Sequence, residues 1–199
     1  MPTTLIDSPV ANVANIARAL RSTGSELVVT SDPDAIASAR SLVLPGVGSF
    51  AAARSWLRQH RIDDAIREAV ARGGWLLGIC VGHQALFEQS FEMGTTKGLG
   101  LLHGDVTRLA GPLPVPQIGW NTVKLTGSSP LFDDIADDSS FYFVNSYAAS
   151  GVASEIASAD YSGPFTAAAQ QGRVFGVQFH PEKSSAAGLQ LLRNFVACK

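Results

Sequence analysis

The chain has 199 residues, of which 46% are hydrophobic: enough apolar material for one core and too little for two comfortable domains, so a single domain over residues 1–199 is expected. Its net charge is −2 and the 15 basic residues are scattered along it, which argues against nucleic acid or an anionic membrane surface as a partner. The opening residues lack a basic stretch followed by an apolar core, no apolar run approaches membrane-spanning length, and two cysteines make no disulfide framework; a cytoplasmic location is expected, where a reactive thiol stays reduced.

Apolar runs and helical periods alternate along the first half, the pattern of a largely parallel sheet covered by helices. The first strand is expected at Thr3 to Ile6. Ser8 is placed to cap a helix with Pro9 at its first position, with Val10, Val13, Ala14, Ala17 and Leu20 on one face and Gly24 as the stop. Glu26 to Thr30 reads as a second strand, Asp32-Pro33 opens a short helix through Ala39, and Leu42 to Leu44 is a third strand. Ser49 to Gln59 and Ile62 to Arg72 are helical by period, and Trp75 to Ile79 is a fourth strand.

Beyond this point the rhythm changes. Gly94 to Gly104 reads as a glycine-rich loop, and strands are expected at Val106 to Leu109, Thr122 to Leu125, Phe141 to Val144, Glu155 to Ala159, Thr166 to Gln170 and Val174 to Phe179, some of them antiparallel. Ser184 or Ser185 caps a last helix whose Leu189, Leu192, Phe195 and Val196 lie against the sheet. Asp133, Asp134, Asp137 and Asp138 read as a solvated loop with capping roles. The fold class is therefore α/β: an open, mostly parallel sheet with helices on both faces and antiparallel strands in the C-terminal half.

Three segments carry chemistry. In Gly78-Ile79-Cys80-Val81-Gly82-His83-Gln84 an apolar strand breaks at a glycine-flanked cysteine and continues as a helix. Glycines two positions either side leave room for a strained central residue, and the first amides of the helix favour a thiolate there. Alone, Cys80 could equally be a small buried hydrophobe. In Val177-Gln178-Phe179-His180-Pro181-Glu182 a strand is stopped by Pro181, leaving His180 and Glu182 on the turn beyond it. A thiol nucleophile needs an imidazole to take and return its proton, and the imidazole needs an anion to fix its tautomer. Cys80, His180 and Glu182 supply those parts.

The third segment, Pro45-Gly46-Val47-Gly48-Ser49, follows a strand of the same parallel sheet and so should face Cys80 from a neighbouring carboxyl end. Attack on an amide carbonyl puts charge on its oxygen, and each backbone amide aimed there is worth about 3 kcal/mol. Val81 offers one such amide. Val47, between two glycines, offers the other, because its peptide can rotate with little steric penalty.

These residues resemble the class I (triad) glutamine amidotransferases. Pro45-Gly46-Val47-Gly48, Pro116-Gln117-Ile118-Gly119-Trp120-Asn121, Phe141-Tyr142-Phe143-Val144 and His180-Pro181-Glu182-Lys183-Ser184 resemble, within that class, the glutaminase subunits of imidazole glycerol phosphate synthase, from histidine biosynthesis. The resemblance implies that Cys80 forms a γ-glutamyl thioester, that His180 is its acid and base, and that Glu182 orients His180. It also implies that Gly48, Gln84, Ser146 and Tyr147 lie near bound glutamine. Asn12, Asn15, Trp120 and Lys183 are implied to face a partner, a (β/α)8-barrel cyclase subunit in a heterodimer. Ammonia would pass through that barrel to a ribonucleotide, giving imidazole glycerol phosphate and an aminoimidazole carboxamide ribonucleotide, with no metal or organic cofactor. The freedom of the Val47 peptide implies allosteric activation: little glutaminase activity until the partner and its nucleotide favour the rotated form.

Two runs depart from the family pattern. Asp7-Ser8-Pro9-Val10-Ala11-Asn12 stands where members carry Asp-Tyr-Gly-x-Gly-Asn, and Asn145 stands where they carry histidine. An asparagine amide donates a hydrogen bond as histidine does, but it does not titrate near neutral pH.

Overall fold

The computed structural model describes residues 2–9 and 11–198. In chain order the elements are β1 (Thr3–Ile6), α1 (Val13–Ser22), β2 (Leu27–Thr30), α2 (Pro33–Ala37), β3 (Ser41–Gly46), α3 (Phe50–Gln59), α4 (Ile62–Ala71), β4 (Trp75–Cys80) and α5 (Val81–Gln84). There follow β5 (Gln89–Ser90), β6 (Thr96–Lys97), β7 (Asp105–Arg108), β8 (Gln117–Leu125), β9 (Ser139–Asn145), β10 (Tyr147–Ala149), β11 (Glu155–Asp160), β12 (Pro164–Gln171), β13 (Val174–Val177) and α6 (Ser185–Ala197).

A nine-stranded sheet runs in the order β2-β1-β3-β4-β13-β12-β11-β8-β9. Its β2, β1, β3, β4 and β13 are mutually parallel, and from β13 onward every neighbour is antiparallel. A smaller sheet, β10-β7-β5-β6, stands beside it. Side chains of the parallel strands alternate between two cores, as the period of a strand requires. Leu5, Val43 and Leu77 join Ile16, Leu20, Leu192 and Phe195 of α1 and α6, whereas Ile6, Leu42, Leu44 and Leu76 join Ile36, Phe50, Leu57 and Ile66 of α2, α3 and α4. The α/β fold with helices on both faces and an antiparallel C-terminal half is the expected one.

Several boundaries differ from expectation. The first helix begins at Val13, with Asn12 as its cap, because the chain beyond β1 stays extended enough for the Asp7 amide to reach Thr30 O and the Asn12 side chain then takes the free amide of Asn15. Ser8 is buried ahead of it, and Val10 lies outside the described residues. Ser184 does precede the last helix but gives it no side-chain cap, since its hydroxyl donates to His180 O and accepts from Tyr142 N. Leu189 and Val196 do pack against the core from that helix, half-buried, alongside the fully buried Leu191, Leu192 and Phe195. The glycine-rich loop holds β6, and β5 and β10 are further short strands that composition did not mark. α2 stops at Ala37, β8 starts at Gln117 and β13 ends at Val177, although Gln178 N still bonds Ala167 O. Asp137 caps no helix; it accepts from Leu125 N at 2.8 Å and so holds the end of β8.

Candidate active site

The parallel core sets the site by register alone. Gly46 at the end of β3 stands opposite Cys80 at the end of β4, and Val177 of β13 stands opposite Ile79, so His180 emerges just beyond the same edge. This is the carboxyl edge of an open sheet, where the side chains and loops of adjacent strands converge.

Cys80 has φ 54° and ψ −112°, backbone that an L residue adopts only under constraint. Close packing of backbone supplies the constraint. A Cβ on Gly82 would come to 2.0 Å from Leu44 O, one on Gly78 to 2.7 Å from Gly82 O, and one on Gly46 to 2.7 Å from Gly82 N. The end of β3, the elbow and the first turn after it thus touch main chain to main chain. The helix expected to follow the elbow is short: α5 ends at Gln84, so its electrostatic help comes from its first free amides, Val81 among them, rather than from a long dipole.

Cys80 is buried, at 3% exposure. Its thiol points at Val144 O and Gln178 Nε2 points at its sulfur, each at 3.8 Å. His180 Nδ1 lies 2.9 Å from Glu182 Oε1, and the two side chains are 4% and 1% exposed. Burial pushes the imidazole down, but its interactions with Cys80 and with the Glu182 carboxylate outweigh it and lift the ring to about 10. With Nδ1 given to Glu182, Nε2 is the nitrogen that serves the sulfur.

A cleft of about 410 Å³ opens over this cluster, lined by Val47, Gly48, Cys80, Val81, Gln84, Glu92, Val144, Asn145, Tyr147 and His180. Of the residues expected near substrate, Gly48, Gln84 and Tyr147 line it and Ser146 does not; the Ser146 carbonyl instead accepts from Leu109 N. Glu182 stands behind His180. Val47 is 36% exposed at the rim and Gly48, at φ +82°, occupies a conformation that suits glycine.

Sequence reasoning missed Glu92 and Gln178. Glu92 is the acidic side chain on the cleft wall, and its Oε2 accepts from Phe50 N at 2.6 Å, tying β5 and the following turn to the start of α3. Nothing in its glycine-rich surroundings announces this. Gln178 is fully buried beside the sulfur, and its place two residues before His180 was the signal.

The residues expected at a partner surface are dispersed over neighbouring elements. Trp120 is 55% exposed on β8 and meets Tyr142 edge-on at 6.0 Å, while Lys183 Nζ stands 5.5 Å over the same ring. Asn12 serves as the α1 cap, with Asn15 N at 3.4 Å, and α1 packs against the turn Pro181–Lys183.

The fold, the strained cysteine and the buried His–Glu pair define a class. The model of the family "glutamine amidotransferase class-I" matches residues 4–198, and the chain belongs to that family. It is similar to the imidazole glycerol phosphate synthase subunit HisH of Dehalococcoides mccartyi (strain CBDB1), with 45% identity over 193 residues that cover 96% of this chain and 94% of that one. The HisH subunit of Symbiobacterium thermophilum is 42% identical over 193 residues, covering 96% of this chain and 91% of that one. A crystal structure of a glutamine amidotransferase shares the fold at a TM-score of 0.76, over 98% of this chain and 97% of that one, with 19% identity.

Proposed function

We propose that this chain is the glutaminase subunit of an imidazole glycerol phosphate synthase, hydrolysing glutamine through Cys80, His180 and Glu182 and handing the ammonia to a cyclase subunit. The observation that carries this reading is a strained cysteine, φ 54°, sharing one cleft with an imidazole that is held by a buried carboxylate at 2.9 Å.

In this scheme the Cys80 proton passes to His180 and the sulfur attacks the side-chain amide carbon of glutamine. The oxyanion is met by the amides of Val81 and Val47. Collapse expels ammonia with the proton from His180, leaving a γ-glutamyl thioester. His180 then takes a proton from water, which attacks the thioester; the carbon–sulfur bond breaks, glutamate leaves and the sulfur regains its electrons. Gly48, Gln84 and Tyr147, which line the cleft, position glutamine around that path. Its α-ammonium finds Glu92.

The partner is a (β/α)8-barrel cyclase, forming a heterodimer in the cytoplasm. Support for its docking surface comes from the exposed Ile118 and Trp120 on β8, 64% and 55% exposed, with Lys183 and the α1 start alongside.

The test combines the chain with such a cyclase and its ribonucleotide. Glutamine should then support imidazole glycerol phosphate formation; Cys80→Ala should abolish this while added ammonium salts still sustain synthesis. Loss of both routes in that variant, with the complex intact, would make Cys80 structural. Parent chain alone that turns glutamine over as fast as the complex would overturn the activation by rotation of the Val47 peptide.

A further inference from the structure

Gln178 is fully buried, lies beside the reacting sulfur, and has no part in the hydrolysis scheme above. Its side chain belongs to a chain of amides whose orientation is fixed from one end. Tyr147 O is a backbone carbonyl and can only accept, and Gln84 Nε2 points at it from 2.9 Å. That requires the NH2 of Gln84 on this side, and its second hydrogen then reaches Gln178 Oε1 at 3.0 Å. With its oxygen so engaged, Gln178 has only its NH2 to present to Cys80 Sγ, at 3.8 Å. The two ends of an amide look alike in shape, but here the carbonyl of Tyr147 decides both of them.

We propose that Gln178 is a further catalytic residue of this site: a neutral N–H donor, locked by Gln84, that stabilises the Cys80 sulfur whenever it carries negative charge. The proposal rests on Cys80 being the nucleophile. Charge appears on the sulfur twice, when the thiol proton has passed to His180 before attack and when water has opened the thioester and the carbon–sulfur electron pair returns to sulfur. Apart from His180, the other polar atom at the sulfur, Val144 O, accepts from the thiol and can offer a thiolate nothing but a lone pair. Gln178 reverses that balance. Being neutral, it does so at every pH; it does not line the cleft and reaches glutamine only through Gln84, which Tyr147 O holds independently of it.

The test is the rate of alkylation by iodoacetamide as a function of pH, without glutamine, in a Cys198→Ser background so that Cys80 alone reports. Gln178→Leu should move the midpoint of that curve upward by about one pH unit. Gln178→Glu keeps an oxygen for Gln84 but sets a carboxylate against the sulfur, and should move it further. Gln84→Leu frees the Gln178 amide to turn and should raise the midpoint too, which a purely packing role for Gln178 would not produce. In the complex, Gln178→Leu should lower kcat about tenfold and leave KM nearly unchanged. An unmoved midpoint in the Gln178 variants that fold, as judged by thermal melting, overturns the proposal. Failure of the parent Cys80 to react with iodoacetamide at any pH would instead count against the nucleophile itself.

Discussion

His180 Nδ1 and Glu182 Oε1 stand 2.9 Å apart in a place almost closed to water, and the second Glu182 oxygen has no hydrogen-bond partner among the described residues. The carboxylate is therefore committed to the imidazole and to little else. Glu182→Gln keeps the shape and removes the charge, so the ring loses both its tautomer lock and the anion that favours its protonated form. Glutamine hydrolysis in the complex should fall by roughly 10²- to 10⁴-fold while the variant stays folded at the assay temperature. Glutamate release by the purified variant measures it, and near-parental rates would remove Glu182 from the mechanism.

The same pair makes stability depend on pH. His180 is held at about 10 in the folded chain, against 6.5 for a free imidazole, so folding favours the proton. The resulting stability is fully present below pH 6.5 and is lost as pH rises through about 10. Without the carboxylate this component shrinks. The advantage of the parent over Glu182→Gln in thermal melts should accordingly be greatest below pH 6.5 and decline toward pH 10, and a constant difference across that range would contradict the assignment.

The cluster was legible because each part lies on a strand whose end the sequence marks: Gly46 at the end of β3 with Gly48 just beyond, Gly78 and Gly82 around Cys80, Pro181 after His180. Parallel neighbours then bring those ends together without further information. Short, weakly patterned pieces were not legible. β5, β6 and β10 are two or three residues long, too short to show a period, and they exist because the small sheet pairs them. The start of α1 was misplaced because Ser8-Pro9 and Asn12 are competing caps, and only the tertiary pull of Thr30 on Asp7 settles between them. Glu92 could not be foreseen for a similar reason: its value lies in reaching Phe50, far off in sequence.

Glu92 invites a direct test. It is the acidic side chain on the cleft wall, and glutamine carries an α-ammonium that must be neutralised once out of water. Glu92→Gln still accepts from Phe50 N, so α3 stays anchored. KM for glutamine should rise about tenfold with kcat nearly preserved. Steady-state kinetics of the complex decide it; an unchanged KM would place the ammonium elsewhere.

Backbone contact at the elbow predicts intolerance rather than tuning. A methyl on Gly82 would sit 2.0 Å from Leu44 O, and main chain on both sides cannot turn aside as a side chain can. Gly82→Ala should lower unfolding stability by roughly 3 kcal/mol and displace Cys80 with it, so that denaturant midpoint and alkylation of the thiol change together. A variant with the parental midpoint would mean that β3 and β4 separate more easily than their register suggests.

His83 lies directly behind the elbow, fully buried, with neither ring nitrogen hydrogen-bonded among the described residues. It fits only because residue 176 is glycine, where a Cβ would meet its Nδ1 at 2.0 Å, and its ring packs edge-on to Phe87 at 5.0 Å. Burial lowers this imidazole to about 3, whereas in the unfolded chain it titrates near 6.5. The sign is opposite to that of His180. Stability is intact above pH 6.5 and is lost as pH falls toward 3, because the unfolded chain takes up a proton that the folded one refuses, at a little over 1 kcal/mol per pH unit. Carboxylates also titrate in the lower part of this range, so the informative quantity is a difference between chains. His83→Met fills the space with an apolar side chain and removes the titration. Between pH 7.5 and 5 the parent should lose roughly 2 kcal/mol relative to this variant in denaturant melts. Parallel curves would show that the ring gains a partner or reaches water as it protonates.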